Sequence, residues 1–374
     1  MSIQTEVAIV GAGIVGAACA FELAKARVPV AVIDRGFVGG GATAAGMGHI
    51  VVMDDSTAQF ALTRYSQTLW DELESEAPAT VEFDRCGTIW VAADEEEMAA
   101  VRRKSAYYNE RGVRTEILDA NALREAEPNL RDGLAGGLFV PGDSVLYAPC
   151  AAEFLLREAR KRGAEIYLGQ PGVAIGQGTV SVADGTTFVA KYVVNATGHD
   201  APRLTPGINV KSRKGHLVIT DRYPRMIRHQ LVELGYLKSA HSIKTDSVAF
   251  NVQPRKTGQV LIGSSRQYDV AGTDVDAQIL SAMLARAFRY IPSLASASSI
   301  RTWAGFRAAT PDKLPLIGPW TEDPSVILAA GHEGLGITTS LATGRLVTDQ
   351  ILGRTPAISI EPYLPSRQMS GAHA

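Results

Sequence analysis

EVAIVGAGIVGAACAFELAKARVPVAVIDR, residues 6–35, decides the architecture of this chain. The apolar run Val7 to Val10 reads as a buried strand that turns sharply at Gly11, after which Ile14, Ala18 and Phe21 recur at helical spacing. A second apolar run, Val30 to Ile33, ends in Asp34. Strand, glycine turn, helix, strand and acid follow one another as in a dinucleotide-binding βαβ unit. Gly11 makes the turn, Gly13 lets the backbone approach a pyrophosphate, and Gly16 allows the helix to pack closely on the strand. Ala12, Ile14 and Val15 lie between them, where a helix start presents free amides to phosphates. Asp34 is placed to accept hydrogen bonds from a ribose 2′-hydroxyl, which disfavours a 2′-phosphate. The unit predicts a bound dinucleotide.

The 374 residues exceed what one hydrophobic core usually supports, so two domains or one large α/β body with an insertion are expected. A net charge of −2 with 20% charged residues gives no basic field for nucleic acid or an anionic membrane. Cys19, Cys86 and Cys150 share no metal-ligand spacing, and their odd number argues against a disulfide framework. The uncharged stretch Val7 to Phe21 is preceded by Glu6, lacks the basic start of a signal peptide and falls short of the ~20 apolar residues of a membrane span. A cytoplasmic protein without a metal site is the expectation.

DRGFVGGGATAAGMGHIV, residues 34–51, follows directly and is rich in glycine where a nicotinamide-binding domain would continue into its next helix. Such a segment lies flat along a ligand without side-chain interference, which suits a cofactor extending past its pyrophosphate. A third feature is KYVVNATGHDA, residues 191–201, in which an apolar strand runs into Ala196-Thr197-Gly198; alone, it is equally an ordinary strand-to-loop junction.

Together these features resemble the glycine oxidase and D-amino-acid oxidase family of FAD flavoproteins, over nearly the whole chain. The likeness rests on Gly11-Gly13-Gly16 with Asp34-Arg35, on Ala42 to Met47, on Ala196-Thr197-Gly198, and on two motifs nearer the C-terminus. It implies an α/β chain, α+β overall, with a Rossmann-like FAD-binding domain (residues 1–80, 146–208 and 301–374) and an antiparallel-sheet substrate domain (81–145 and 209–300). It implies FAD rather than NAD, with Thr43, Ala44, Met47 and Gly48 leading from the pyrophosphate to the isoalloxazine, and with the backbone of Val173 contacting the adenine.

IRTWAGFRAATPDKLPLIGPW, residues 300–320, places Arg307 between an expected strand, Arg301 to Trp303, and a turn at Thr310-Pro311-Asp312. A guanidinium fork suits a carboxylate, so Arg307 pairs either with an anionic ligand or with a protein carboxylate such as Asp312. The resemblance matches Gly305-x-Arg307 to the family position that holds the substrate's α-carboxylate, with Ala308 where many relatives have Pro. His49 follows Gly48 where the family's chain nears the flavin and is a second catalytic candidate, although a surface or core histidine is as consistent with the sequence.

The middle of the chain alternates apolar stretches, HLVIT, SVAFNVQ and VLIGSSR, that read as antiparallel strands followed by a helix from Asp274 to Tyr290 with Ile279, Met283 and Phe288 near one face. Tyr236, Phe250, Arg266 and Tyr268 are pocket candidates there or simply packing residues.

AAGHEGLGITTSLATG, residues 329–344, lies between an expected strand, Val326 to Ala330, and an expected helix, Ile337 to Leu352. Its glycines would leave the amides of Gly334, Leu335, Gly336 and Ile337 pointing outward at a helix N-terminus, a positive site for an anion. By the resemblance this stretch, including Thr338, faces the flavin's pyrimidine end, with His332 and Glu333 serving that site or facing an electron-accepting partner.

The implied chemistry is oxidation of a C–N bond in an amino or imino acid, with hydride passing to flavin N5. Within the family the chain is most similar to the β subunit of heteromeric bacterial dehydrogenases, the D-hydroxyproline dehydrogenase and opine oxidase group. That similarity implies cis-4-hydroxy-D-proline as substrate and partner subunits that take the electrons, with FMN or an iron–sulfur cluster only at or in those partners. A single-chain glycine- or sarcosine-type oxidase making hydrogen peroxide, an opine oxidase subunit, and a structural flavoprotein are the alternatives.

Overall fold

The computed structural model describes residues 1–235 and 246–370. The chain divides into two compact units, Met1–Val81 with Tyr147–Ser212 and Phe306–Ala374, and Glu82–Leu146 with Arg213–Gly305.

The first unit is a three-layer α/β body. Its sheet runs in the order Leu316–Pro319, Val326–Ala330, Tyr192–Asn195, Val7–Val10, Val30–Ile33, Glu165–Tyr167. Every residue of Val7–Val10 and Val30–Ile33 is buried, as parallel strands covered on both faces require. Tyr192–Asn195 and Val326–Ala330 continue the parallel run, and Leu316–Pro319 closes the edge antiparallel. One face packs on a four-stranded sheet, with Ala8, Ala31 and Val193 meeting Val180, Val182 and Phe188. The other face carries the helices Ile14–Lys25, Ala148–Lys161 and Gly336–Ile351. At Gly344 the last of these comes so close to the first that a Cβ would lie 2.5 Å from the Ala18 carbonyl oxygen. Arg345 and Glu22 pair across the same contact at 2.7 Å.

The second unit is built on a sheet in the order Ser299–Ala309, Lys211–Arg222, Gln259–Arg266, Ser247–Pro254, Gln230–Glu233, Thr88–Ala92, Gly136–Val140, Glu116–Asp119. The expected antiparallel pairing does not hold between Gln230–Glu233 and Thr88–Ala92, which run parallel. The helix expected from Asp274 begins instead at Ala277, because the Asp276 carboxylate caps it by accepting the Gln278 and Ile279 amides. Of the predicted face only Met283 is fully buried; Ala287 and Tyr290 complete it, while Ile279 and Phe288 are half-buried. Phe250 is fully buried and stacks on Tyr290 with centroids 4.3 Å apart, so it is a core residue and not a pocket lining. Arg266 ends its strand half-buried and Tyr268 lies under the Arg213 guanidinium, whereas Tyr236 falls outside the described residues.

Among the described residues no helix is long and apolar enough to cross a membrane.

Candidate active site: a dinucleotide cradle and an arginine beside a helix start

The glycine turn has the shape its sequence predicts. Gly11 has φ +113°, and a Cβ there would lie 2.5 Å from the Ala196 carbonyl oxygen. A Cβ at Gly16 would come within 1.9 Å of the Gly11 carbonyl oxygen, so the helix rests directly on the turn. At Gly13 the nearest neighbour is the Thr43 hydroxyl, 3.2 Å from an added Cβ. That hydroxyl accepts the Ile14 amide at 3.0 Å, and Gly13 at the N-cap has no side chain to cap the helix itself, which leaves Val15 and Gly16 among the first-turn amides without intrahelical partners.

Asp34 is locked at the end of the next strand. Its Oδ2 accepts the Ala12 amide at 2.6 Å and its Oδ1 the Gly36 amide at 2.7 Å, leaving lone pairs on both oxygens for a further donor. Arg35 pairs with Asp200 at 2.7 Å and is largely exposed. The 36–49 segment folds back over the turn, with the Gly39 amide donating to the Ala12 carbonyl at 2.9 Å. Ala44 stays exposed, whereas Thr43, Met47 and Gly48 are buried.

Ala196-Thr197-Gly198 continues the strand Tyr192–Asn195 alongside the glycine turn. Its shape is fixed by the fully buried Asn195, whose Oδ1 accepts the Thr197 hydroxyl at 2.7 Å while its Nδ2 donates to Ala201 and Thr205. Val173 sits in the strand Gly172–Gly176 at a register shift between Gly172 and Ala174, which takes its backbone out of the regular ladder. Its side chain is exposed, and the nearby Gln170 amide donates to the Asp34 carbonyl at 2.8 Å. A floor without Cβ atoms, uncapped first-turn amides and a fixed carboxylate at the next strand end fit a dinucleotide.

Arg307 lies inside a strand, Ser299–Ala309, and not between a strand and a turn as its local sequence suggested. The reason is a distant pairing: Ala308 and Ala309 run antiparallel to Glu333 and His332. Gly305 precedes Arg307 by two residues and so shares its side of the strand. The carboxylate named as a protein partner for Arg307, Asp312, is instead held by Arg367 at 2.7 Å. Burial would raise the Asp312 carboxyl, but the hydrogen bonds and charge of Arg367, with the Leu314 amide and Thr310, hold it below its ordinary value.

The glycine loop places the Arg307 side chain next to a helix start. A Cβ on Gly334 would lie 3.7 Å from both Cδ and Nε of Arg307. The helix Gly336–Ile351 has no side-chain cap, so the amides of Gly336, Ile337 and Thr338 make up its open first turn. The Leu335 amide is not among the outward donors that the sequence suggested, because it donates to the His332 carbonyl at 3.0 Å. The 36–49 segment reaches the same helix start: a Cβ on Gly46 would lie 2.7 Å from Ile337 Cδ1, and the Thr338 hydroxyl donates to the His49 carbonyl at 2.8 Å. Arg307, Gly334 to Thr338 and Gly46 to His49 therefore meet around one helix N-terminus.

His332 turns into the core instead. Its Nε2 lies 3.0 Å from the Thr343 hydroxyl, and burial pushes its pKa down to about 3, so the ring is neutral. Glu333 occupies the left-handed region at φ +54° and is half-buried. The sequence does not single out Asn195, Asp200 or Arg367; only Asn195, next to the Ala-Thr-Gly turn, carries a local signal.

The chain matches the family described as FAD dependent oxidoreductase, DAO, over residues 6–350. It is 30% identical to glycine oxidase from Geobacillus kaustophilus (strain HTA426), covering 99% of this chain and 98% of that protein. The crystal structure of glycine oxidase from Geobacillus kaustophilus superimposes with a TM-score of 0.87 over 98% of this chain and 99% of that one. The L-proline dehydrogenase structure from P. horikoshii reaches a TM-score of 0.88 at 25% identity, covering 99% of both chains. A subunit of the opine oxidase of Rhizobium meliloti is 22% identical over 92% of this chain and 95% of its own length. With a mixed α/β fold, a dinucleotide cradle and a family match across most of its length, the chain belongs to the DAO family of FAD-dependent oxidoreductases.

Proposed function

We propose that this protein oxidises the C–N bond of an amino or imino acid, with cis-4-hydroxy-D-proline as the leading substrate, as the catalytic β subunit of a dehydrogenase that passes electrons to partner subunits. The observation that carries the reading is the position of Arg307, beside Gly334 and the uncapped start of Gly336–Ile351. A guanidinium fork and the positive end of a helix suit a carboxylate and a developing negative charge. Bound FAD supplies the two-electron acceptor, and the chain supplies binding, orientation and exclusion of water.

Arg307 holds the substrate carboxylate, and His49 hydrogen-bonds the substrate's polar end. The amine is held uncharged, so that its lone pair supports loss of the α C–H bond and leaves a C=N bond, cyclic for an imino acid. Gly11 to Gly16 hold the pyrophosphate, Asp34 the ribose and the backbone of Val173 the adenine. Arg35, Ala196, Thr197 and Gly198 line the nucleotide end; Thr43, Ala44, Met47, Gly48, Gly305 and Gly334 to Thr338 line the flavin end. Similarity to an L-proline dehydrogenase supports an imino acid, and similarity to one chain of an opine oxidase supports a partnered enzyme.

The 30% identity to glycine oxidase favours one second reading, a self-contained oxidase that makes hydrogen peroxide. Anaerobic mixing of the FAD-loaded chain with cis-4-hydroxy-D-proline, opines, glycine and sarcosine separates the substrates by which one bleaches the flavin. Peroxide release by the isolated chain in air would favour the oxidase, and turnover only with a dye or added subunits the dehydrogenase. Arg307→Ala should abolish bleaching with FAD retained; unchanged bleaching removes Arg307 from carboxylate binding.

A further inference from the structure

The turn after Arg307 is pinned by a residue more than fifty positions further along the chain. Arg367 uses all five of its N–H donors there. Nε donates to Asp312 Oδ2 at 2.7 Å, and Nη2 to Asp312 Oδ1 at 3.2 Å and the Leu314 carbonyl at 2.6 Å. Nη1 donates to the carbonyls of Tyr363 at 2.9 Å and Leu364 at 3.2 Å. The turn needs holding: Lys313 lies at φ +63°, a conformation that persists only where its surroundings enforce it.

The same turn touches both arms of the anion site. Upstream it continues into Ala308 and Ala309, which pair with Glu333 and His332. Sideways, Thr310 presses on Gly331, where a Cβ would lie 2.6 Å from Thr310 Cγ2, and Gly331 opens the loop to Gly334. The Thr310 hydroxyl meanwhile donates to the Leu314 carbonyl at 2.8 Å, the oxygen that Arg367 also engages. We propose that Arg367 is a positioning residue for the substrate carboxylate: by fixing the Thr310 to Leu314 turn, it sets Arg307 against the Gly334 to Thr338 helix start. This inference rests on the carboxylate reading of Arg307.

The test titrates FAD-loaded wild type, Arg367→Ala, Arg367→Lys and Arg307→Ala with pyrrole-2-carboxylate, a cyclic carboxylate with no α C–H bond to lose, and reads the shift in flavin absorbance. Arg367→Ala should weaken binding roughly tenfold, about the worth of one charge-assisted hydrogen bond lost from the turn. FAD content and the limiting rate of flavin reduction should change much less, and Arg367→Lys should recover part of the affinity. Wild-type affinity in Arg367→Ala, with binding lost in Arg307→Ala, overturns the positioning role alone. Wild-type affinity in Arg307→Ala instead overturns the carboxylate reading and the inference with it. Should Arg367→Ala not fold, Asp312→Asn keeps the shape of the turn while removing its charge; weaker binding there supports the role and unchanged binding overturns it.

Discussion

Thr338 reaches across 289 positions of sequence to donate its hydroxyl to the backbone carbonyl of His49. This bond joins the glycine-rich segment after Asp34 to the first turn of Gly336–Ile351. Thr338→Val removes it at nearly constant volume. The expected loss of stability is ~1 kcal/mol, with weaker FAD binding, because the segment from Thr43 to His49 loses its far anchor. Thermal unfolding and an FAD titration check this, and an unchanged FAD affinity would show that the anchor is not needed.

Gly16→Ala places a methyl 1.9 Å from the Gly11 carbonyl oxygen, a backbone atom that cannot rotate away. Overpacking of this kind costs roughly 1–3 kcal/mol, and here the displaced atoms are the turn itself. The variant should purify without FAD. The ratio of flavin to protein absorbance reports it, and a full complement of FAD would contradict the assigned cradle.

Gly344→Ala makes a comparable clash elsewhere, 2.5 Å from the Ala18 carbonyl oxygen, between two helices. Stability should fall by roughly 1–3 kcal/mol. Its folded fraction should nevertheless keep more FAD than Gly16→Ala, since the clash lies away from the phosphate turn. Equal FAD loss in the two variants would mean that helix packing, not turn geometry, controls cofactor binding.

His332 links stability to pH. Burial lowers its folded pKa from 6.5 to about 3, so the unfolded chain binds a proton that the folded chain refuses. The stability due to the neutral ring is whole above the unfolded pKa and declines as pH falls from there towards about 3, with a slope of at most ~1.4 kcal/mol per pH unit. Denaturant unfolding between those limits should show a shallower pH dependence in His332→Gln than in wild type. Equal slopes would place the linkage on other groups.

Legibility in the sequence followed the distance between partners. The run from Val7 to Asp34 was readable because strand, turn, helix and strand are neighbours along the chain and their periodicities are local. The strand carrying Arg307 runs beyond its local signal because its last residues are held by His332 and Glu333, and no local pattern records that pairing. The Leu335 amide differs from its local signal for the same reason, since a tight turn consumes it. Phe250 and His332 carried chemistry-bearing side chains in suggestive places, yet both are buried as packing residues. Arg367 gave no signal, because a lone arginine near a C-terminus shows its value only when five acceptors surround it.

The place of Val7–Val10 between Val30–Ile33 and Tyr192–Asn195 also has a consequence in time. On the ribosome the first neighbour emerges almost at once, but the second waits until half the chain has been made, on the order of ten seconds at ordinary elongation rates. Through that interval one edge of the nascent nucleotide strand has no permanent partner and is open to pairing with other chains. Val326–Ala330 and the helix Gly336–Ile351 follow later still. The parallel sheet can therefore close only after residues 192–195 and 326–330 have both been made.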